Sequence, residues 1–201
     1  LYNFSSSILT EMPTLNLVLL HKLKFNFVIE DCSKMFYKCN RLKSIVSLSG
    51  DTKDNPTEMT HMFYGCTSFI SFSDIDKLNT KNVTDLSCLF HSCSSLQQIP
   101  DISSWNVENV TDMQYLFYGC SSVKYFPDIS NWNTKKVENM NNMFGKCSSM
   151  IMLPNISGWK TDSVNNLSNM FSECKLLTSI SDISSWNTEK VTDINNMFNG
   201  C

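Results

Sequence analysis

The stretch VTDMQYLFYGCSSVKYFPDISNWNTKK, Val110 to Lys136, decides the fold because it recurs. Its phenylalanine belongs to the series Phe36, Phe63, Phe90, Phe117, Phe144, Phe171 and Phe198, spaced 27 residues apart without a gap. Cys39, Cys66, Cys93, Cys120, Cys147, Cys174 and Cys201 follow in the same register, three residues after each phenylalanine. Trp105, Trp132, Trp159 and Trp186 form a third series, and Val83, Val110, Val137, Val164 and Val191 a fourth. A period of this size marks a chain of stacked units, none large enough to bury its apolar face alone.

Within the unit, Val110, Met113, Leu116, Phe117 and Cys120 fall at spacings of three and four, which predicts one face of a helix about three turns long. Thr111 is its candidate N-cap, Asp112 sits where a helix dipole favours an anion, and Gly119 is placed to end the turn. Val123, Lys124, Tyr125 and Phe126 then suit a short strand, stopped by Pro127. Each coil is thus expected to pair a short helix with a short strand in a parallel sheet, an α/β repeat solenoid. Residues 1–30 read as a decayed N-terminal capping repeat, with Ile8 and Leu9 in the phase of Met35 and Phe36. The tandem repeats fill 31–201, and termination in mid-unit at Cys201 predicts further repeats beyond it.

The 201 residues carry 16 Lys plus Arg against 19 Asp plus Glu, a net charge of -3, so nothing supplies the basic surplus that nucleic-acid binding uses. Only 17% of residues are charged, and the polar surface must come from Ser, Thr and Asn. The chain has no alanine, and Arg41 is its sole arginine. The longest apolar stretch, Leu15 to Leu20, is interrupted by Asn16 and falls short of a membrane span.

The run M-F-x-G-C-S-S-L followed by P-D-I-S-x-W-N-T-x-x-V-T-D-M resembles the BspA-type leucine-rich repeat, a surface-protein repeat of about 26 residues; here the unit is one residue longer. The resemblance covers about residues 31–201. It implies a right-handed leucine-rich-repeat solenoid with a short parallel strand and a short helix per coil. It also implies an exported or cell-surface protein that adheres to or recognises a partner.

Cysteine spacing argues against disulfides and metal. There is one ladder cysteine per coil, no C-x-x-C, and no histidine at ligand spacing. If the ladder stands near helix ends, neighbouring thiols are separated by helix packing, about 8–10 Å, beyond disulfide reach. They are therefore read as free thiols filling gaps between coils. Cys32, in the phase of Met59 and Met113, is read as core, and Cys88 is the one candidate for a disulfide or reactive thiol. The acidic series Asp74, Asp101, Asp128 and Asp182, broken by Asn155, is weighed as a calcium ladder and read instead as turn caps bonding their own backbone. A second series, Asp31, Glu58, Asp85, Asp112 and Asp193, is assigned to helix N-termini. His21, His61 and His91 lie in three different phases, and with no phosphate loop or zinc motif the chain reads as non-enzymatic, without cofactor. Sequons at Asn3, Asn82, Asn109, Asn155 and Asn166 do not establish secretion.

Recognition is assigned to the phases that vary while the core repeats. One column is Lys43, Ile70, Gln97, Lys124, Ile151 and Thr178; the next is Ser44, Ser71, Gln98, Tyr125, Met152 and Ser179. Gln98, Tyr125, Met152, Ser179 and Lys124 are the candidate binding residues, with Tyr125 and Met152 as anchors for a protein or glycan partner. The expected location is the cell surface or secreted, with an intracellular interaction scaffold as the alternative.

Overall fold

The structure, a computed structural model, describes residues 31–45, 56–73 and 75–201. The decayed repeat over 1–30, and Asp74 of the acidic series, lie outside these residues. The chain winds as stacked coils. Parallel bridges join Asp31, Glu58, Asp85, Asp112, Asn139, Asn166 and Asp193 in succession, one residue per coil. The phenylalanine ladder stacks with centroids 5.4 Å apart between Phe36 and Phe63 and 6.0 Å between Phe90 and Phe117, the rings nearly parallel. This is β-strand pitch, not helix pitch.

Among the described residues there is no α-helix, and the segment expected to be helical is a run of three-residue turns. Val110 N–H donates to Val107 O, Leu116 to Met113 O, Cys120 to Phe117 O and Val123 to Cys120 O. Intervening amides leave the coil: Tyr115 N–H donates to Asn141 O, Phe117 to Met143 O and Gly119 to Gly145 O, all at 2.8–2.9 Å. A helix would aim every N–H along its own axis and leave none for the next coil. Left-handed backbone makes the alternation: φ is 55° at Tyr115 and 72° at Gly119, and recurs at His61 and Gly65, Cys88 and Ser92, Asn142 and Lys146. Such non-glycine conformations cost about 1–3 kcal/mol each and persist because each lies within a cross-coil bond. A chain of three-residue turns buries the same three-and-four spacing that an amphipathic helix would, which is why the pattern pointed to a helix.

The helix-terminal assignments change with it. Asp112 Oδ1 accepts from Gln114 N–H at 2.8 Å, and Asp31, Asp85 and Asp193 likewise accept from the amide two residues on. The four aspartates of the second acidic series, Asp31, Asp85, Asp112 and Asp193, therefore cap turns with their side chains. Thr111 Oγ1 does not cap; it donates to Thr84 O on the preceding coil at 3.2 Å.

On the opposite side the sheet is slight. β1, Ser44–Ile45, pairs in parallel with β2, Ser71–Phe72, in the register Ser44↔Ser71 and Ile45↔Phe72, and Met152↔Ser179 forms an isolated bridge. The expected strand in every coil is not formed, and proline is one reason. Ser73 N–H donates to Ile45 O at 3.1 Å, but its phase is occupied by Pro100, Pro127 and Pro154, which have no N–H to give.

The core lies between these sides. Phe63, Phe90, Phe117, Phe144 and Phe171 are fully buried, as are Met62, Leu89, Leu116, Met143 and Met170 before them. Two polar ladders run through it. Phe117 O accepts from Cys120 N–H and from Cys147 Sγ–H, at 3.1 and 3.2 Å. Ile129 O accepts from Trp132 N–H and from Trp159 Nε1–H, at 3.2 and 3.0 Å. Each thiol and each indole thus reaches back 30 residues to fill the second lone pair of a buried carbonyl, from Cys66 to Cys201 and from Trp105 to Trp186. None of the nine cysteines is in a disulfide; Cys32 is buried and Cys88 half-buried. The separation assumed for them from the sequence does not hold, since coils at β pitch bring ladder neighbours within the Cα range of about 4.4–6.8 Å that disulfides use. Burial pushes the thiols up, to about 12 at Cys120 and Cys174 and about 11 at Cys88.

Truncating Phe144 to alanine removes a ring packed on both sides and should cost roughly 3–5 kcal/mol in urea melts; a loss under about 0.5 kcal/mol would contradict the ladder. Cys66, Cys93, Cys120 and Cys147 should resist alkylation in the native protein and react after unfolding. Intact mass after alkylation in denaturant without reductant reads this out, and a majority of blocked thiols would refute it.

Candidate recognition surface

The strand side carries the residues singled out from the sequence. Gln98, Tyr125, Met152 and Ser179 occupy one phase on four successive coils, all exposed, Tyr125 to 57% and Met152 to 53%. Lys124 is exposed in the neighbouring column, as is Ile70 at 49%. The structure brings Gln98, Lys124 and Tyr125 together with Gln97, Asp101 and Ser122 around a depression of about 730 Å³. Met152 and Ser179 pair with each other outside it. No backbone hydrogen bond joins 97–99 to 124–126 among the described residues, whereas Ile151 N–H does donate to Lys124 O at 3.2 Å. The depression lies at this break in the ladder.

What distinguishes Gln97, Gln98, Lys124, Tyr125 and Met152 is that no side-chain hydrogen bond commits them among the described residues. Other polar groups, including Ser122 within the depression, serve the scaffold: Ser122 Oγ donates to Ser94 O, Thr134 Oγ1 to Lys160 O, and Asn109 Nδ2 to Lys81 O. The first acidic series does the same. Asp101, Asp128, Asn155 and Asp182 accept from the N–H of Ser103, Ser130, Ser157 and Ser184 at 2.8–3.0 Å, the self-capping turn expected of them. Hydrogen bonds from Ser103 and Ser130 hold the Asp101 and Asp128 carboxyls below their ordinary range. Among the described residues no cluster of three His, Cys, Asp or Glu is gathered to hold a metal ion.

Sequence reasoning missed a second surface feature. Tyr37, Tyr64, His91 and Tyr118 stack in a row with centroids 5.0, 4.2 and 4.8 Å apart, and Lys38 and Lys146 lie over the terminal rings at 5.1 and 5.3 Å. The signal was present, since the residue after each of the first four ladder phenylalanines is aromatic. His61 packs against Tyr64 from the neighbouring phase, centroids 5.5 Å apart. His91 Nδ1 contacts Ser92 Oγ at 2.8 Å, and among the described residues no carboxylate is hydrogen-bonded to the ring to complete a hydrolytic triad. Burial, aided by the neighbouring His61 and the positive charge of Lys146, lowers the His91 pKa to about 4. The unfolded chain takes up this proton near pH 6.5, so stability from neutral His91 is lost as pH falls from about 6.5 to 4 and no further below. The melting temperature of His91→Tyr should therefore fall less over that interval than that of the wild type; parallel curves would refute it.

No curated protein matches the chain. Two solved structures are similar to it. A leucine-rich repeat protein from Bacteroides ovatus is 16% identical with a TM-score of 0.44, over 80% of this chain and 44% of its own length. The leucine-rich repeat protein of T. pallidum is 18% identical with a TM-score of 0.44, over 76% of this chain and 72% of its own. This chain thus spans under half of the Bacteroides protein. Residues 30–150 and 120–201 match the family described as "Mycoplasma protein of unknown function, DUF285". With nearly the whole of the described repeat array inside those limits, the chain belongs to the DUF285 family.

Proposed function

We propose that the chain is a non-enzymatic recognition solenoid of the BspA-type surface class, binding a protein or glycan partner through the strand-side column Gln98, Tyr125, Met152 and Ser179 with Lys124 beside it. The observation that carries this reading is the uncommitted state of these side chains on a scaffold that otherwise spends its polar groups on its own carbonyls. Tyr125 and Met152 are large, exposed and adjacent in one column, the disposition of anchors at an interface. The proposed location is the cell surface. One observation favours the intracellular alternative: none of the nine cysteines is in a disulfide, which suits a reducing compartment. Replacing Tyr125 and Met152 together by serine should weaken partner binding at least tenfold, about 1.4 kcal/mol, with the melting transition unchanged. Unaltered affinity in the double variant would move the site off this face.

A further inference from the structure

We propose that the depression bounded by Gln97, Gln98, Asp101, Lys124 and Tyr125 binds a neutral oligosaccharide. This rests on the reading that the strand side is the recognition face, and it names the class of ligand taken there. The volume, about 730 Å³, falls within the roughly 300–1,000 Å³ of small-ligand sites, enough for a few sugar rings. The space belongs to the backbone plan: Pro127 stands where Ser73 supplies a ladder bond in the β1–β2 pair, and no backbone bond closes the gap between 97–99 and 124–126.

The lining has the chemistry of polyhydroxyl recognition. Each of the two glutamine amides offers two donors and a carbonyl acceptor, the combination that matches a hydroxyl, which both gives and accepts. Neither amide is bonded within the described residues. Asp101 supplies acceptors, and Lys124 supplies donors. Their opposite charges, one of each on the rim, give no net field to select an anion. Tyr125, exposed to 57%, stacks on no other ring among the described residues, so its face is open. An aromatic face carries the negative side of its quadrupole, which attracts the C–H face of a pyranose. The other surface aromatics do not offer this, because Tyr64, His91 and Tyr118 spend their faces on one another. A protein partner at this depression would find one exposed aromatic, Tyr125; Ile99 is buried and Phe126 and Pro127 are half-buried, which leaves too little open apolar surface for a hot spot.

The test is a printed array of neutral, sialylated and sulfated oligosaccharides probed with the chain, followed by titration of the retained glycan against variants. Neutral glycans should be retained. Tyr125→Ala and the Gln97→Ala, Gln98→Ala pair should each weaken binding about tenfold or more, with melting curves unchanged. Lys190→Ala, an exposed change outside the lining of the depression, should leave the affinity within about twofold. Retention of sialylated or sulfated glycans alone, retention of none, or neutral binding indifferent to Tyr125→Ala would overturn the inference. If no glycan is retained while a defined protein partner is lost in the Tyr125, Met152 double variant, the glycan inference falls and the recognition reading stands. If neither ligand responds to these substitutions, both fall.

Discussion

The backbone amides of the turn-rich side make the structure possible. Within each coil successive N–H groups alternate between the carbonyl three residues back and a carbonyl on the following coil, as Leu116 and Phe117 do. The first kind of bond bends the chain, and the second holds the coils at β pitch. Everything else follows from that spacing: phenylalanine rings meet face to face, and ladder thiols, with an indole in each of the four coils that carry tryptophan, reach the carbonyls of the coil before. A coil without neighbours would leave half of these amides unpaired, so the unit has meaning only in an array.

That economy accounts for the composition. A scaffold with three or more turns per coil needs side chains that bond nearby backbone, and Asp, Asn, Ser and Thr do this. The carboxylates weighed as ligands are bound to the amides two residues on, and many hydroxyls to the previous coil. Cysteine suits its position because it is small, buries well and has a weak donor for a carbonyl already holding one hydrogen bond. On the function proposed above, recognition falls to what remains, namely the side chains that stand off the strand side where proline has thinned the sheet.

The repeat, its register and its core were legible in the sequence, because the 27-residue recurrence of Phe117, Cys120 and Trp132 follows directly from identical burial in every coil. The local backbone was not. Val110, Met113, Leu116 and Phe117 satisfy a helix and a chain of three-residue turns equally, and the residues that choose between them by adopting positive φ are Tyr115, Cys88, His61 and Asn142, which carry no glycine signal. From the mistaken helix came the mistaken distance between thiols. Sheet loss was visible in Pro100, Pro127 and Pro154 but was read only as the end of each strand. The exposed column was legible because its residues vary between coils, whereas the depression beside it depends on a broken ladder that no single residue announces.

The alternation of turn and cross-coil bonds is tested most directly by backbone nuclear Overhauser contacts across residues 113–120 and 139–146. Contacts from the Phe117 amide to the Met143 and Phe144 α-protons, with left-handed coupling constants at Tyr115 and Asn142, are the predicted result. An unbroken series of amide–amide contacts through 113–120, with α-proton to amide contacts three residues on and none between coils, would mean helices packed side by side and would contradict the account.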